Sequence, residues 1–78
     1  MTNLEKYNEV FLETMNVDKS QLTCLKYQDI PEWDSVGHMT LMANLEDAFD
    51  IMMETDDIID FSSFEKGKEI LKKYKVEI

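Results

Sequence analysis

Turn-forming and cross-linking residues are scarce in this chain. Of 78 residues one is proline, two are glycine and one is cysteine. With so few breakers, long stretches run uninterrupted, which favours helices over short strands joined by tight turns. The lone cysteine, Cys24, excludes an internal disulfide framework and a cysteine-based metal site. Such a residue is expected to be a small buried hydrophobe. No apolar run approaches the roughly 18 residues of a membrane span. The first ten residues are polar and charged and do not resemble a signal peptide, so cytoplasmic residence is expected.

Positive charge is also in short supply, with 8 basic residues against 17 acidic ones and a formal net charge of −9. Binding to DNA or RNA needs clustered Lys and Arg, so the charge argues against nucleic acid as a partner and against an anionic membrane surface. The balance points instead to proteins with basic patches, approached with help from long-range attraction. The length fits a single domain over residues 1–78, with one small core and no second layer for a deep catalytic cleft. Hydrophobic residues make up 44% of the chain, including six Met, so this is a folding sequence and not a disordered tail.

The pattern predicts helices separated by loops. Thr2-Asn3-Leu4-Glu5 is a capping box, and Leu4, Tyr7, Phe11 and Met15 follow at helical spacing, giving a first helix from Asn3 to about Met15. From Asn16 to Asp34 the period is lost. Leu22, Leu25, Tyr27 and Ile30 are scattered there and would pin a long loop onto the core; a loop of that length is normally functional or partly helical. A long helical pattern runs from Val36 to about Met53. Thr55-Asp56-Asp57 then caps a short helix through Ile58 and Ile59. Ser62-Ser63-Phe64-Glu65 is a second capping box, opening a last helix that carries Phe64, Ile70, Leu71 and Tyr74.

Ser35 stands where the loop Ile30-Pro31-Glu32 meets the long helix, in Trp33-Asp34-Ser35-Val36. The first residues of a helix turn free N–H groups and the positive dipole end outward, a setting that suits a phosphate-bearing group. Taken alone, Asp-Ser is also a good helix N-cap. On a wheel, Leu41, Met42, Leu45, Ala48, Phe49 and Met52 form the core side. Val36, Met39, Thr40, Ala43, Asp47 and Asp50 lie across from them, with Glu46 at the flank. Apolar side chains beside an exposed serine, with carboxylates further along, read as a docking surface.

These features together resemble the acyl carrier proteins, over essentially the whole chain. Asp34-Ser35-Val36 is a variant of the family's Asp-Ser-Leu motif, Trp33 and Gly37-His38-Met39 are similar to flanks in freestanding carriers, and Leu45-Glu46-Asp47-Ala48-Phe49 resembles its Leu-Glu-acid-x-Phe segment. The resemblance implies an all-α fold, a small four-helix bundle of acyl-carrier type with three longer helices, one short helix and a long loop between the first two. It implies 4′-phosphopantetheine attached covalently to Ser35, with Asp34 supporting the Mg²⁺ of the transferase. Val36 takes the place of the exposed hydrophobe that contacts partner enzymes, and Glu46 and Asp47 fall where acids pair with their Arg and Lys; Met39, Ala43 and Asp50 complete that face. Implied partners are a phosphopantetheinyl transferase and acyl-loading and acyl-using enzymes with basic patches, met by a monomer without catalytic activity of its own. Gly37 and Thr40 stand where the fatty-acid type is often acidic and Ala43 where it often has a larger apolar residue, so the face is less acidic near the serine. This argues against ordinary fatty-acid synthesis among the fatty-acid, polyketide and other secondary-metabolite pathways that the resemblance admits. Acyl and aminoacyl cargo are not separated, since partner enzymes choose it.

Other chemistry finds no support. His38 is the chain's single histidine and lacks an orienting third group for nucleophilic catalysis; it reads as a helix-surface residue. Asp47, Asp50, Glu54, Asp56 and Asp57 lack the ligand spacing and turn glycine of an EF-hand. The alternative to a carrier is an unmodified acidic helical module for protein interaction.

Overall fold

Four of the helices begin where a polar side chain takes up or anchors a free backbone N–H. The computed structural model describes residues 2–78, and among them the helices are α1 (Asn3–Met15), α2 (Lys19–Leu22), α3 (Ser35–Phe49), α4 (Thr55–Asp60) and α5 (Phe64–Lys72). No strand occurs among the described residues. In α1 the expected capping box is formed: Glu5 N–H donates to Thr2 Oγ1 at 3.1 Å and Thr2 N–H to Glu5 Oε1 at 3.2 Å. Two orphan donors are satisfied at once, and the helix keeps its expected bounds.

The segment expected as a long loop contains one extra turn of helix. Gln21 reaches back to accept the Asp18 N–H at 2.9 Å and closes α2. Leu22 and Leu25 then take the inward positions, so Thr23 and Cys24 between them are left outside. Cys24 is exposed, contrary to expectation. The chain then runs along the start of α5: Tyr27 N–H donates to the Ser62 carbonyl at 2.9 Å and Phe64 N–H to the Leu25 carbonyl at 3.0 Å, flanking one antiparallel bridge between Lys26 and Ser63. This pairing holds Ser63 extended, so Ser63 is the cap of α5, accepting the Lys66 N–H at 3.0 Å. Glu65 then stands one place early, and the expected second capping box is not formed.

The long helix ends four residues sooner than its pattern. Asp50 adopts a left-handed φ of 53°, and both Asp50 and Ile51 donate to the Glu46 carbonyl, a Schellman-type ending. Met52, expected on the core side, therefore lies beyond the helix and is 86% exposed. Ala48 and Phe49 are half-buried, and Leu4, at the rim of an open groove with Leu22 and Phe64, is 40% exposed. Thr55 does not cap α4; it is the first helical residue, and Glu54 precedes it without a side-chain bond.

Aromatic rings dominate the core. Phe11 is the hub, with ring centroids 5.0 Å from Tyr7, 5.5 Å from Trp33, 5.1 Å from Phe64 and 6.2 Å from Phe61. The first three pairs are edge-to-face and the Phe61 pair is stacked, geometries that add to the burial of their area. Tyr7 is fully buried, and its hydroxyl donates to the Phe64 carbonyl at 2.7 Å. Burial, with Glu65 nearby, raises its phenol far above the usual value. A side chain at Gly67 would collide with the Phe61 ring and the Tyr7 hydroxyl. Only glycine leaves room on α5 for that ring and that hydroxyl.

A polar clamp joins α4 to the end of the chain. The buried Asp57 accepts from the Tyr74 hydroxyl at 2.5 Å and from Lys73 Nζ at 2.9 Å, while Tyr74 Oη accepts the Glu54 N–H at 2.9 Å. These bonds, the Tyr74 one first, hold the Asp57 carboxyl below its ordinary value of 3.8. A depressed carboxylate contributes stability above its unfolded pKa and loses it as pH falls through the folded one. Asp57→Asn should therefore be less stable than wild type at neutral pH. Followed by urea denaturation, the gap should shrink once pH drops below about 3.8. A gap that is constant from pH 7 to pH 2 would remove Asp57 from this role.

Candidate functional site

The site is built on the first turn of α3. Asp34, and not Ser35, is the cap: its Oδ1 accepts the Gly37 N–H at 2.8 Å and its carbonyl accepts the His38 N–H at 2.8 Å. Ser35 is the first helical residue, exposed, and its hydroxyl is free of any capping bond. The one side-chain partner of Ser35 Oγ among the described residues is Tyr27 Oη, at 3.3 Å.

What delivers Ser35 to the surface is a buried tryptophan directly before the motif. Trp33 is fully buried and packs edge-on against Phe11. Its indole N–H is a donor only, and it donates to His38 Nδ1 at 3.0 Å. The other ring nitrogen, Nε2, must then carry the hydrogen, which it donates to the Ile58 carbonyl at 2.8 Å. His38 is thus not the surface residue expected from its place on α3. It is half-buried, stacked along Trp33, with Tyr27 and Phe61 edge-on to it. One imidazole ties the loop, α3 and α4 together.

The backbone of the loop presses on α3 as well. A Cβ at Gly37 would collide with the Glu32 carbonyl oxygen. This explains the small residue within the first turn of a helix: the loop crosses where a side chain would begin.

The outward face of α3 has the residues assigned to it, with one change. Val36 is 74% and Met39 56% exposed, and Ala43, Asp47 and Asp50 are exposed too. Glu46 is half-buried, and its carboxylate accepts the Met53 N–H at 2.8 Å, fixing the chain after α3. It therefore acts in the fold before it can act on a partner. Val36 and Met39 flank Ser35, whereas Asp47 lies about 18 Å along the axis at 1.5 Å per residue. The apolar and acidic parts of the face are separate.

Tyr27, Trp33 and His38 were not assigned to the site from sequence. In the sequence Tyr27 reads only as a loop anchor and Trp33 only as a flank of the motif. The need of a buried indole for an acceptor was the available signal for His38, which is the one imidazole within reach.

Gly37→Ala should force the loop off α3. The expected cost is about 1–3 kcal/mol, the range for overpacking, with a changed Trp33 fluorescence emission as the indole loses its seat. Unchanged stability and emission would mean that the Glu32 carbonyl does not lie against α3.

Among the described residues, no helix is long and apolar enough to cross a membrane. No protein-family model, no curated protein and no solved structure matches this chain.

Proposed function

We propose that this chain is a carrier protein, holding acyl or aminoacyl intermediates on 4′-phosphopantetheine attached to Ser35 and delivering them to partner enzymes. The observation that carries this reading is the division of labour in Asp34-Ser35-Val36. Asp34 caps α3, which leaves the Ser35 hydroxyl exposed and uncommitted to backbone at a helix N-terminus. The order of elements agrees with the acyl-carrier architecture: a first long helix, a connecting segment, a long helix led by the serine, a short helix and a last one. The short α2 is an addition within the connecting segment.

The chain's residues fit such an attachment. An arm joined through a phosphodiester needs an accessible oxygen and no pocket, and Ser35 Oγ meets that need. With Oδ1 of Asp34 engaged by Gly37, Oδ2 is left to help the Mg²⁺ of a transferase. When attached, the arm supplies a terminal thiol that holds cargo as a thioester. The chain itself then contributes no acid, base or nucleophile to the reactions of its cargo. It presents that cargo to several enzymes at high effective concentration. Val36, Met39 and Ala43 form the apolar part of the docking face and Asp47 and Asp50 its acidic part. Exposed ion pairs are worth only about 0.2–1 kcal/mol each, which favours brief visits.

Incubation with a broad-specificity phosphopantetheinyl transferase, coenzyme A and Mg²⁺ should add one phosphopantetheine unit, read by intact mass. Ser35→Ala should abolish the addition. If wild type stays unmodified where a control carrier is loaded, the chain is an acidic interaction module instead.

Docking separates into two terms. Asp47→Lys combined with Asp50→Asn, which keeps a residue tolerant of the left-handed turn, should slow loading at low salt through the association rate. The effect should fade at high salt. Val36→Ala should weaken docking with little salt dependence, because the lost contact is apolar. Wild-type rates for both variants at low salt would move the recognition surface off α3.

A further inference from the structure

We infer that Tyr27 is a positioning residue for the reaction at Ser35, its hydroxyl holding the serine side chain in the rotamer from which Oγ attacks; this rests on the carrier reading above. Tyr27 Oη lies 3.3 Å from Ser35 Oγ, reaching across from a segment eight residues earlier in the chain. Oγ has no other side-chain partner among the described residues, so without Tyr27 the serine is free to sample its three staggered wells. Tyr27 itself is fixed. Its N–H is bound to the Ser62 carbonyl at 2.9 Å, and its ring meets His38 at 5.2 Å and Trp33 at 6.3 Å, both edge-on. The hydroxyl is thus carried on a half-buried, packed ring toward an exposed nucleophile.

A phenol oxygen can accept as well as donate. When the Tyr27 hydroxyl donates to one lone pair of Ser35 Oγ, the other lone pair and the serine hydrogen are left facing outward, the first toward an incoming electrophile and the second toward a base of the transferase or water. In the transfer, Ser35 Oγ attacks the pantetheine-bearing phosphorus of coenzyme A. The Oγ–P bond forms, the P–O bond to adenosine 3′,5′-bisphosphate breaks, and the serine proton leaves to the transferase or to water. Tyr27 touches none of the transferred atoms and acts only through Oγ. Its place outside α3 separates this role from docking.

Tyr27→Phe removes the hydroxyl and keeps both ring contacts. Initial rates of phosphopantetheine addition, measured over a range of carrier concentrations with coenzyme A and Mg²⁺, should show kcat lowered roughly two- to tenfold, the factor one neutral hydrogen bond carries. KM for the carrier and the thermal midpoint should stay at wild-type values. An unchanged or higher kcat with wild type normally loaded overturns the role of Tyr27 and leaves the carrier reading standing. A slower reaction matched by a higher KM or a lower thermal midpoint also overturns it, since that is the mark of a structural residue. Wild type that accepts no phosphopantetheine overturns both.

Discussion

A buried indole cannot leave its N–H unpaired, because an orphaned buried donor costs about 1–3 kcal/mol. In this protein that obligation falls on Trp33, the residue two before the serine, and His38 discharges it. The imidazole has one acceptor and one donor when neutral, so taking the indole hydrogen at Nδ1 leaves Nε2–H to be placed. The Ile58 carbonyl receives it. A single hydrogen-bond relay thereby fixes the loop, the first turn of α3 and the position of α4. Ser35 sits between its two fixed ends, at Trp33 and His38. Its exposure follows from an inward-facing neighbour held firmly enough to turn the next residues outward.

Much of this arrangement was legible in the chain. The capping box at Thr2 and the spacing of Tyr7, Phe11 and Met15 predicted α1 to the residue, because each signal is local and they agree. The start of α3 was legible for the same reason, as was its outward face. What was not legible were turns and contacts that no helical period carries. The end of α3 depends on a left-handed Asp50 and on Glu46 reaching Met53, and no periodicity announces either. The cap of α5 was displaced by backbone pairing with residues 25–27, which a local reading of Ser62 and Ser63 cannot contain. Met52 reads as inward only while the wheel is extended past the point where the helix stops, whereas Phe49, the last residue of α3, does pack against the core. Within the site, Ser35, Val36 and Met39 were found from the motif, but Tyr27 was not. Its partner is eight residues away on another element, and only packing brings the two hydroxyls together.

The acidic character of the chain takes two forms. The carboxylates of Asp47 on α3 and of Asp50 just past its end stand in water, where their charges cost the fold little beyond mutual repulsion. Asp57 is taken out of water and held by Tyr74 and Lys73. The first kind is available to a partner and sensitive to salt, while the second fastens α4 to the chain end. Counting charge gives the sign of the surface and says nothing of this division.

Glycine is used here for close approach and not for turning. Gly37 and Gly67 admit a loop and a ring where a Cβ has no room, and neither has a positive φ. The left-handed turns fall instead to Asn16, Gln28, Asp50 and Lys75, with φ between 53° and 69°. Each such residue carries about 1–2 kcal/mol of native strain, less for Asn and Asp. Glycine at the same four places would relieve that strain and give the denatured chain more conformations to lose, a counterweight of about 0.4–1 kcal/mol per site. For Asn16 and Asp50 the two quantities nearly cancel; for Gln28 and Lys75 the strain is the larger. The folded state therefore holds a small reserve of unrealised stability, confined to two surface turns outside every helix.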